Sequence, residues 1–445
     1  MPMSESLRNR LFPMLPQIIR KFGTPFHIYD EAGIRGTLQE LKRAFTDNGL
    51  DFREFYAVKA LPKPAIMDII HDEGCAYDCS SVTELRLARA AGARRQDIMF
   101  TSNNTSDEEF AEALAHGGSI VNLDDEVFLD HPLIKNGPRD MFCCRLNPGK
   151  RKTDDEVNEI IGDPVNSKYG VPIEHIVHVY ARAKEMGFRQ FGIHTMVCSN
   201  DLNYVHMLNT LKLELEVASG LNRHLGIRPA FINMGGGIGI PYRPEESPFD
   251  IDKFACGCRE LVAQFAHDNH YVPKLFLESG RYVTGPHGVL VNRVINRYRK
   301  YKEFAGVESG MTANMRVAIY STAYHHGTIL KSDGVPVGPA DRLVEKITVA
   351  GSICENCDVL ARDMPLPNPQ VGDLYLTHDD GAHSSAMPGN YNGRCRPQEL
   401  LLCGDGTVRR ICRAETYEDL ERRHRDLEGD EHVLEVQDTT AAADV

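Results

Sequence analysis

Lys59 stands in Phe55-Tyr56-Ala57-Val58-Lys59-Ala60-Leu61-Pro62, at the end of a short β-rich run. Tyr56, Val58 and Leu61 favour its burial, and a buried lysine amine is a competent nucleophile toward an aldehyde. Most lysines are simply solvated, so the reading depends on what else converges on this one. The run Asn233-Met234-Gly235-Gly236-Gly237-Ile238-Gly239-Ile240-Pro241 lets successive backbone N–H groups converge on a phosphate. It has neither the dinucleotide-binding spacing nor the Gly-Lys-Ser/Thr of a nucleotide loop, and alone it is equally a flexible turn. Leu277-Glu278-Ser279-Gly280-Arg281 offers a carboxylate that can keep a ring nitrogen protonated and a guanidinium for a phosphate or carboxylate. Standing alone it is equally a surface ion pair.

The elements that carry these groups have a rhythm. Eight apolar or β-rich runs recur: 52–59, 75–81, 97–102, 119–124, 141–147, 191–197, 230–236 and 274–280. Between them lie stretches with helical spacing, such as 83–91 and 108–115. Strand–helix alternation predicts parallel pairing with helical crossovers, and eight units fit a closed (β/α)8 TIM barrel. A doubly wound open sheet is the alternative. In a barrel the functional groups sit at the strands' C-terminal ends, which selects Lys59, Asp78, Arg145, Ser199, Gly235 to Gly237, Glu278 and Arg281. After about residue 285 the texture changes to strands without regular helices: 289–296, 316–320, 346–350, 373–377 and 407–412. The expected division is an N-terminal segment 1–30 joining a β domain, a barrel over 31–285, an antiparallel β domain over 286–420 and a charged, frayed tail over 421–445. The insert 151–161 reads as a charged, mobile loop.

Composition narrows the function classes. The chain has 445 residues, 42% of them hydrophobic, enough for a large core in two domains. A net charge of -13 argues against nucleic acid and anionic membranes. No apolar run reaches spanning length, and the first residues lack the pattern of a signal peptide. With twelve scattered cysteines, reduced thiols in the cytoplasm are expected. Cys256-Gly257-Cys258 and Cys354-Glu355-Asn356-Cys357 each lack the second pair or histidine cluster a metal site needs.

Taken together, the segments resemble the fold-type III pyridoxal phosphate decarboxylases, the group of diaminopimelate, ornithine and arginine decarboxylases, from about Thr24 to Arg413. Tyr56-Ala57-Val58-Lys59-Ala60 resembles the Schiff-base motif, Tyr77-Asp78-Cys79-Ser80-Ser81 the second-strand segment, Gly235-Gly236-Gly237 the phosphate loop and Glu278-Ser279-Gly280-Arg281 the Glu-x-Gly-Arg motif. Gly351-Ser352-Ile353-Cys354-Glu355-Asn356-Cys357-Asp358, Arg316-Val317-Ala318-Ile319-Tyr320 and Asn390-Tyr391-Asn392-Gly393-Arg394 are most similar to the diaminopimelate branch.

The resemblance implies an alanine-racemase-like barrel with a β domain, and pyridoxal 5'-phosphate as cofactor. Lys59 would hold the cofactor aldehyde as a Schiff base, and Glu278 would face the ring nitrogen. Asp78, Ser199, Gly236, Gly237, Ser279, Gly280 and Arg281 would complete the cofactor site. Arg281, Arg316 and Tyr320 would bind the far carboxylate end of an amino-acid substrate. Cys354, as proton donor, and Glu355, meeting the far amino group, would come from the other subunit of a homodimer. Four positions depart from the pattern. Met196 replaces the histidine that stacks on the ring, and His383 replaces the tyrosine of Gly-Ala-Tyr near the phosphate. Ser279 and Val317 each replace a proline. The implied reaction is decarboxylation of meso-2,6-diaminopimelate to L-lysine. The rivals are another basic amino-acid decarboxylase, an alanine-type racemase and a non-catalytic pyridoxal-phosphate-binding regulator.

Overall fold

The computed structural model describes residues 3–149 and 164–425. The strands in chain order are β1 (Phe26–Asp30), β2 (Phe52–Ala57), β3 (Ala76–Cys79), β4 (Ile98–Phe100), β5 (Ile120–Leu123), β6 (Met141–Asn147), β7 (Val171–Pro172), β8 (Gln190–Thr195), β9 (Phe231–Asn233) and β10 (Lys274–Leu277). They continue as β11 (Gly288–Arg299), β12 (Glu303–Val307), β13 (Gly327–Leu330), β14 (Val344–Ala350), β15 (Val359–Pro367), β16 (Leu374–Thr377), β17 (Gln398–Leu402) and β18 (Val408–Cys412).

Strands β2, β3, β4, β5, β6, β8, β9 and β10 pair in parallel, and β10 pairs back onto β2, with Phe276 opposite Arg53. That closure decides for the barrel over the open sheet. Its helices begin at side-chain caps that the sequence supplies. Ser81 accepts from the Glu84 N–H, Asp250 from that of Lys253, and Ser106 and Glu109 form a capping box.

Strand alternation sorts the barrel interior into layers. Phe55, Ala76, Met99, Ile120, Cys143, Phe231 and Phe276 form one buried apolar cluster across it. The Phe231 and Phe276 rings stack with centroids 4.6 Å apart. Gly192 leaves the space that this packing needs, since a Cβ there would lie 2.0 Å from the Phe231 ring. Two residues further along the strands the interior turns polar: Asp78, Thr101, Asn122, Arg145, His194, Asn233 and Glu278. The barrel therefore has an aromatic floor with a polar ring one pleat above it.

The second sheet runs β15-β14-β12-β11-β1-β17-β18, with β16 on β11 and β13 on β16. It is antiparallel except for the parallel pairs β1–β17 and β12–β14. One expected strand is corrected: Arg316–Ile319 is a helical turn. The Asn314 side chain accepts from the Arg316 N–H at 3.0 Å just ahead of it, and the turn buries Arg316 and Val317. The expected loop 151–161 lies outside the described residues, as does the tail beyond residue 425. Among the described residues no helix is long and apolar enough to cross a membrane, and no cluster of metal-ligating side chains occurs.

Where the barrel passes into the β domain, His287 is buried with Nε2 2.8 Å from Thr37 Oγ1. Burial pulls its pKa down to about 4. An unfolded histidine protonates near 6.5, so between pH 6.5 and 4 the unfolded chain binds the extra proton and stability falls as pH falls. His287 is expected to account for a loss on the order of 3 kcal/mol across that window. Denaturant titrations of wild type and His287→Asn should converge from pH 7 to pH 4. A gap independent of pH would contradict this.

Candidate active site

A cavity of about 560 Å³ opens over the polar ring, and Lys59 projects into it. A short helical turn, Val58–Ala60, takes the chain away from the end of β2. The turn buries Val58 and Ala60 and leaves Lys59 with 41% of its side chain open to the cavity. Lys59 Nζ donates to Asp78 Oδ2 at 2.6 Å. Burial disfavours the ammonium, but Asp78 and Glu278 outweigh it and hold Lys59 above the ordinary lysine value.

The two carboxyls are tuned apart. Asp78 is raised, first by burial and then by repulsion from Glu278. Glu278 is lowered: burial opposes its charge, but His194, Lys59 and Asn233 prevail. Asn233 Nδ2 donates to Glu278 Oε1 at 2.7 Å, and His194 Nε2 donates to Oε2 at 3.1 Å. A carboxylate fixed from both oxygens and held ionised is what a protonated ring nitrogen requires opposite it.

The glycine run packs where side chains cannot. A Cβ on Gly235 would lie 2.4 Å from the Thr195 carbonyl oxygen, and one on Gly236 would lie 2.5 Å from that of Glu278. Gly237 has φ +118°, and a Cβ there would meet Cys198 Sγ at 2.5 Å. Gly237→Ala is thus expected to cost about 1–3 kcal/mol. A thermal midpoint lowered by a few degrees checks this, and an unchanged midpoint would sink it. Gly280 is seated on Ala60, whose Cβ would lie 2.7 Å from an added one. The Ser279 N–H, absent in a proline, donates to Glu54 Oε1 at 2.6 Å. Glu54 is a buried carboxyl that burial pushes well above the usual range.

At the other end lie two buried arginines. Arg281 Nη1 donates to Tyr242 Oη at 2.6 Å, and Arg316 lies with Cζ 4.4 Å from the centre of the same ring. Burial, opposed by Tyr242 and assisted by Arg281, brings Arg316 down to about 10, still charged at neutral pH. Neither arginine makes an ion pair with a carboxylate among the described residues. His383, at φ +54°, lines the cavity, and its N–H donates to the Ala60 carbonyl at 2.9 Å. Burial, then Arg281, Arg316 and Lys59, lower its pKa far below the ordinary histidine value.

Of the residues singled out in the sequence, Lys59, Asp78, Met196, Ser199, Glu278, Arg281, Arg316, Tyr320 and His383 line one cavity. Gly236, Gly237, Ser279 and Gly280 do not line it; they pack against or bond to Glu278, Cys198, Glu54 and Ala60. Cys354 and Glu355 do not line it. Cys354 is exposed on the loop before β15, with its N–H donating to Asn392 Oδ1 at 2.9 Å and its Sγ 4.0 Å from Tyr391 Oη. Tyr242, His194 and Glu54 are not singled out by the sequence, and Asn233 stands there only as part of the glycine run. Their position two residues along from the aromatic floor was the available signal for Asn233 and His194. This set fits a phosphorylated pyridoxal: an amine, an ionised carboxylate, a glycine run packed tightly beside them, and cations free of carboxylates.

Known proteins agree. The pyridoxal binding domain of the pyridoxal-dependent decarboxylases matches residues 31–285. Protein TabA of Pseudomonas amygdali pv. tabaci is 43% identical over 94% of this chain and 95% of its own. The diaminopimelate decarboxylase of Methanothermobacter thermautotrophicus is 34% identical over 91% of this chain and 92% of its own. The crystal structure of diaminopimelate decarboxylase from M. jannaschii in complex with L-lysine superposes with a TM-score of 0.83 at 26% identity, covering 94% of this chain and 95% of that one.

Proposed function

The chain belongs to the pyridoxal-dependent decarboxylases, and from that membership we propose that it converts meso-2,6-diaminopimelate to L-lysine and CO2, as a cytoplasmic homodimer with shared sites. It is a pyridoxal-phosphate-dependent amino-acid decarboxylase. The observation that carries the finer reading is the pair of carboxylate-free arginines at the end of the Lys59 cavity. Diaminopimelate has an amino and a carboxyl group at each end. One end reacts, and the other needs a cation for its carboxylate and an acid for its ammonium. Arg316 with Arg281 supplies the first, and Glu355 of a second copy the second. Ornithine has no far carboxylate and would leave a buried guanidinium unpaired, which is costly.

When bound, pyridoxal phosphate supplies an aldehyde carbon for amines and a ring that accepts the electron pair left by departing CO2. Lys59 Nζ has to lose a proton before it can bond carbon, and Asp78 Oδ2, 2.6 Å away and raised in pKa, takes it. Glu278, fixed by Asn233 and His194, would keep the ring nitrogen of a bound pyridoxal protonated. Met196, which lines the cavity, would offer its thioether to the face of a bound aromatic ring. Neutral His383 offers a hydrogen bond to phosphate without adding a third buried positive charge beside the two arginines. Cys354 of the second copy, as general acid, returns a proton to the α-carbon.

CO2 release measured across meso-diaminopimelate, L- and D-lysine, L- and D-ornithine and L-arginine tests the reading. The expected result is strong preference for meso-diaminopimelate. Preference for ornithine or arginine would assign a different basic amino acid. A cofactor band without CO2 from any of them would favour a regulator.

A further inference from the structure

The glycine run leads into Ile240-Pro241-Tyr242, and the Ile240 N–H donates to Asn200 Oδ1 at 3.0 Å, which pins this segment to the loop after β8. Tyr242 is thereby inserted, 4% exposed, between the two guanidiniums. Its hydroxyl accepts from Arg281 Nη1 at 2.6 Å, while its face lies 4.4 Å from Arg316 Cζ and 5.7 Å from Arg281 Cζ. An aromatic face attracts a guanidinium and a phenol oxygen accepts from one, so one side chain holds two like charges close together at reduced cost.

Arg316 is gripped from another side. Its Nη1 donates to His325 Nε2 at 3.0 Å. His325 Nδ1 donates to the His378 carbonyl at 2.8 Å, which fixes the tautomer that leaves Nε2 as an acceptor. Burial and then Arg316 hold His325 far below the ordinary histidine value, so it stays neutral. Asn314 Nδ2 donates to the same His325 Nε2 at 3.2 Å and to Asp380 Oδ1 at 2.9 Å, which anchors the imidazole in the β domain. The His325 ring also meets Tyr242 edge-on, with centroids 4.9 Å apart. Arg316 Nε has no partner among the described residues.

We propose that Tyr242 and His325 are positioning residues that set substrate specificity, fixing Arg316 as the receptor for a carboxylate at the far end of the substrate side chain while the Tyr242 hydroxyl orients Arg281 beside it. This rests on the proposed function for the identity of the far carboxylate, but not for the existence of an anion receptor. A guanidinium held by a ring face and one neutral acceptor keeps donors for a carboxylate. Released from either support, it becomes a flexible cation whose ordering the ligand has to supply.

The test uses holoenzyme and the seven-carbon dicarboxylate pimelate, which has the substrate's two acid groups and no amine to react. Calorimetry should find that Tyr242→Leu and His325→Leu weaken pimelate binding by about tenfold or more, whereas Tyr242→Phe, which keeps the ring face, retains most of it. With meso-diaminopimelate the loss in kcat/KM should fall mainly on KM. Pimelate affinity unchanged in both leucine variants overturns the proposal. So does a loss matched by equal loss of the visible cofactor band, which would mark a merely structural role. Wild type that binds no pimelate also overturns it. Wild type that binds pimelate but does not decarboxylate diaminopimelate sinks the substrate reading and leaves the receptor standing.

Discussion

Lys59→Ala should lose the visible absorbance of bound cofactor and release CO2 about 10³-fold or more slowly than wild type. Lys59 is the one lysine lining the cavity among the described residues, so no neighbouring amine can substitute. The fold should survive, because 41% of the side chain faces the open cavity and the alanine leaves no sealed void. Electrostatics give a second readout. Lys59 now lowers the pKa values of both Asp78 and Glu278. Without it both buried carboxyls should titrate at higher pH, and cofactor added back should bind with a steeper loss toward low pH. A variant that keeps the band would mean that the cofactor is held through another amine, and the arrangement of the site around Lys59 would be wrong.

Cys354→Ala should lower kcat by about 10² to 10⁴-fold, the range for loss of a positioned general acid. It should spare the cofactor band, since Cys354 lies on an exposed loop away from the Lys59 cavity. The two variants together make a sharper experiment. If each site takes Lys59 from one protomer and Cys354 from the other, a mixed dimer of Lys59→Ala and Cys354→Ala has one site with both groups intact and one with neither. Random exchange of equal amounts makes half the dimers mixed, and so restores about a quarter of wild-type activity. No recovery after exchange, verified by sedimentation of tagged subunits, would place proton donation within one chain and remove Cys354 from the role.

The barrel was legible because strand and helix alternate in the apolar pattern, and all eight expected runs contain strands of the closed sheet. The β domain was only partly so. β15 contains Pro365 and Pro367, which argue against a strand in any interior position. It forms because it is the sheet's edge, something only the assembled topology reveals. Arg316–Tyr320 reads as β-rich, yet the Arg316 N–H is taken by Asn314, two residues earlier, and tertiary burial of Arg316 outweighs local propensity. In the site, residues in motifs were visible and residues acting through space were not. Glu54 has no motif, and its significance depends on the Ser279 N–H, 225 positions away. Tyr242 lies in no motif, and only the fold brings Arg281 and Arg316 to it.

The aromatic floor beneath the polar ring separates two kinds of mutational risk. Along most of the barrel strands, the residue that secures the fold and the residue available for chemistry are about 7 Å apart, one full pleat. A change at Phe55, Phe231 or Phe276 would be selected against as a packing defect of several kcal/mol. A change at Thr101, Asn122 or Arg145 alters the electrostatics of the cavity while the floor stays intact. Such a barrel can drift to new substrates one polar position at a time without passing through unfolded intermediates. The Met196 and His383 replacements, at the mouth of the same cavity and clear of the floor, are changes of the kind this separation tolerates.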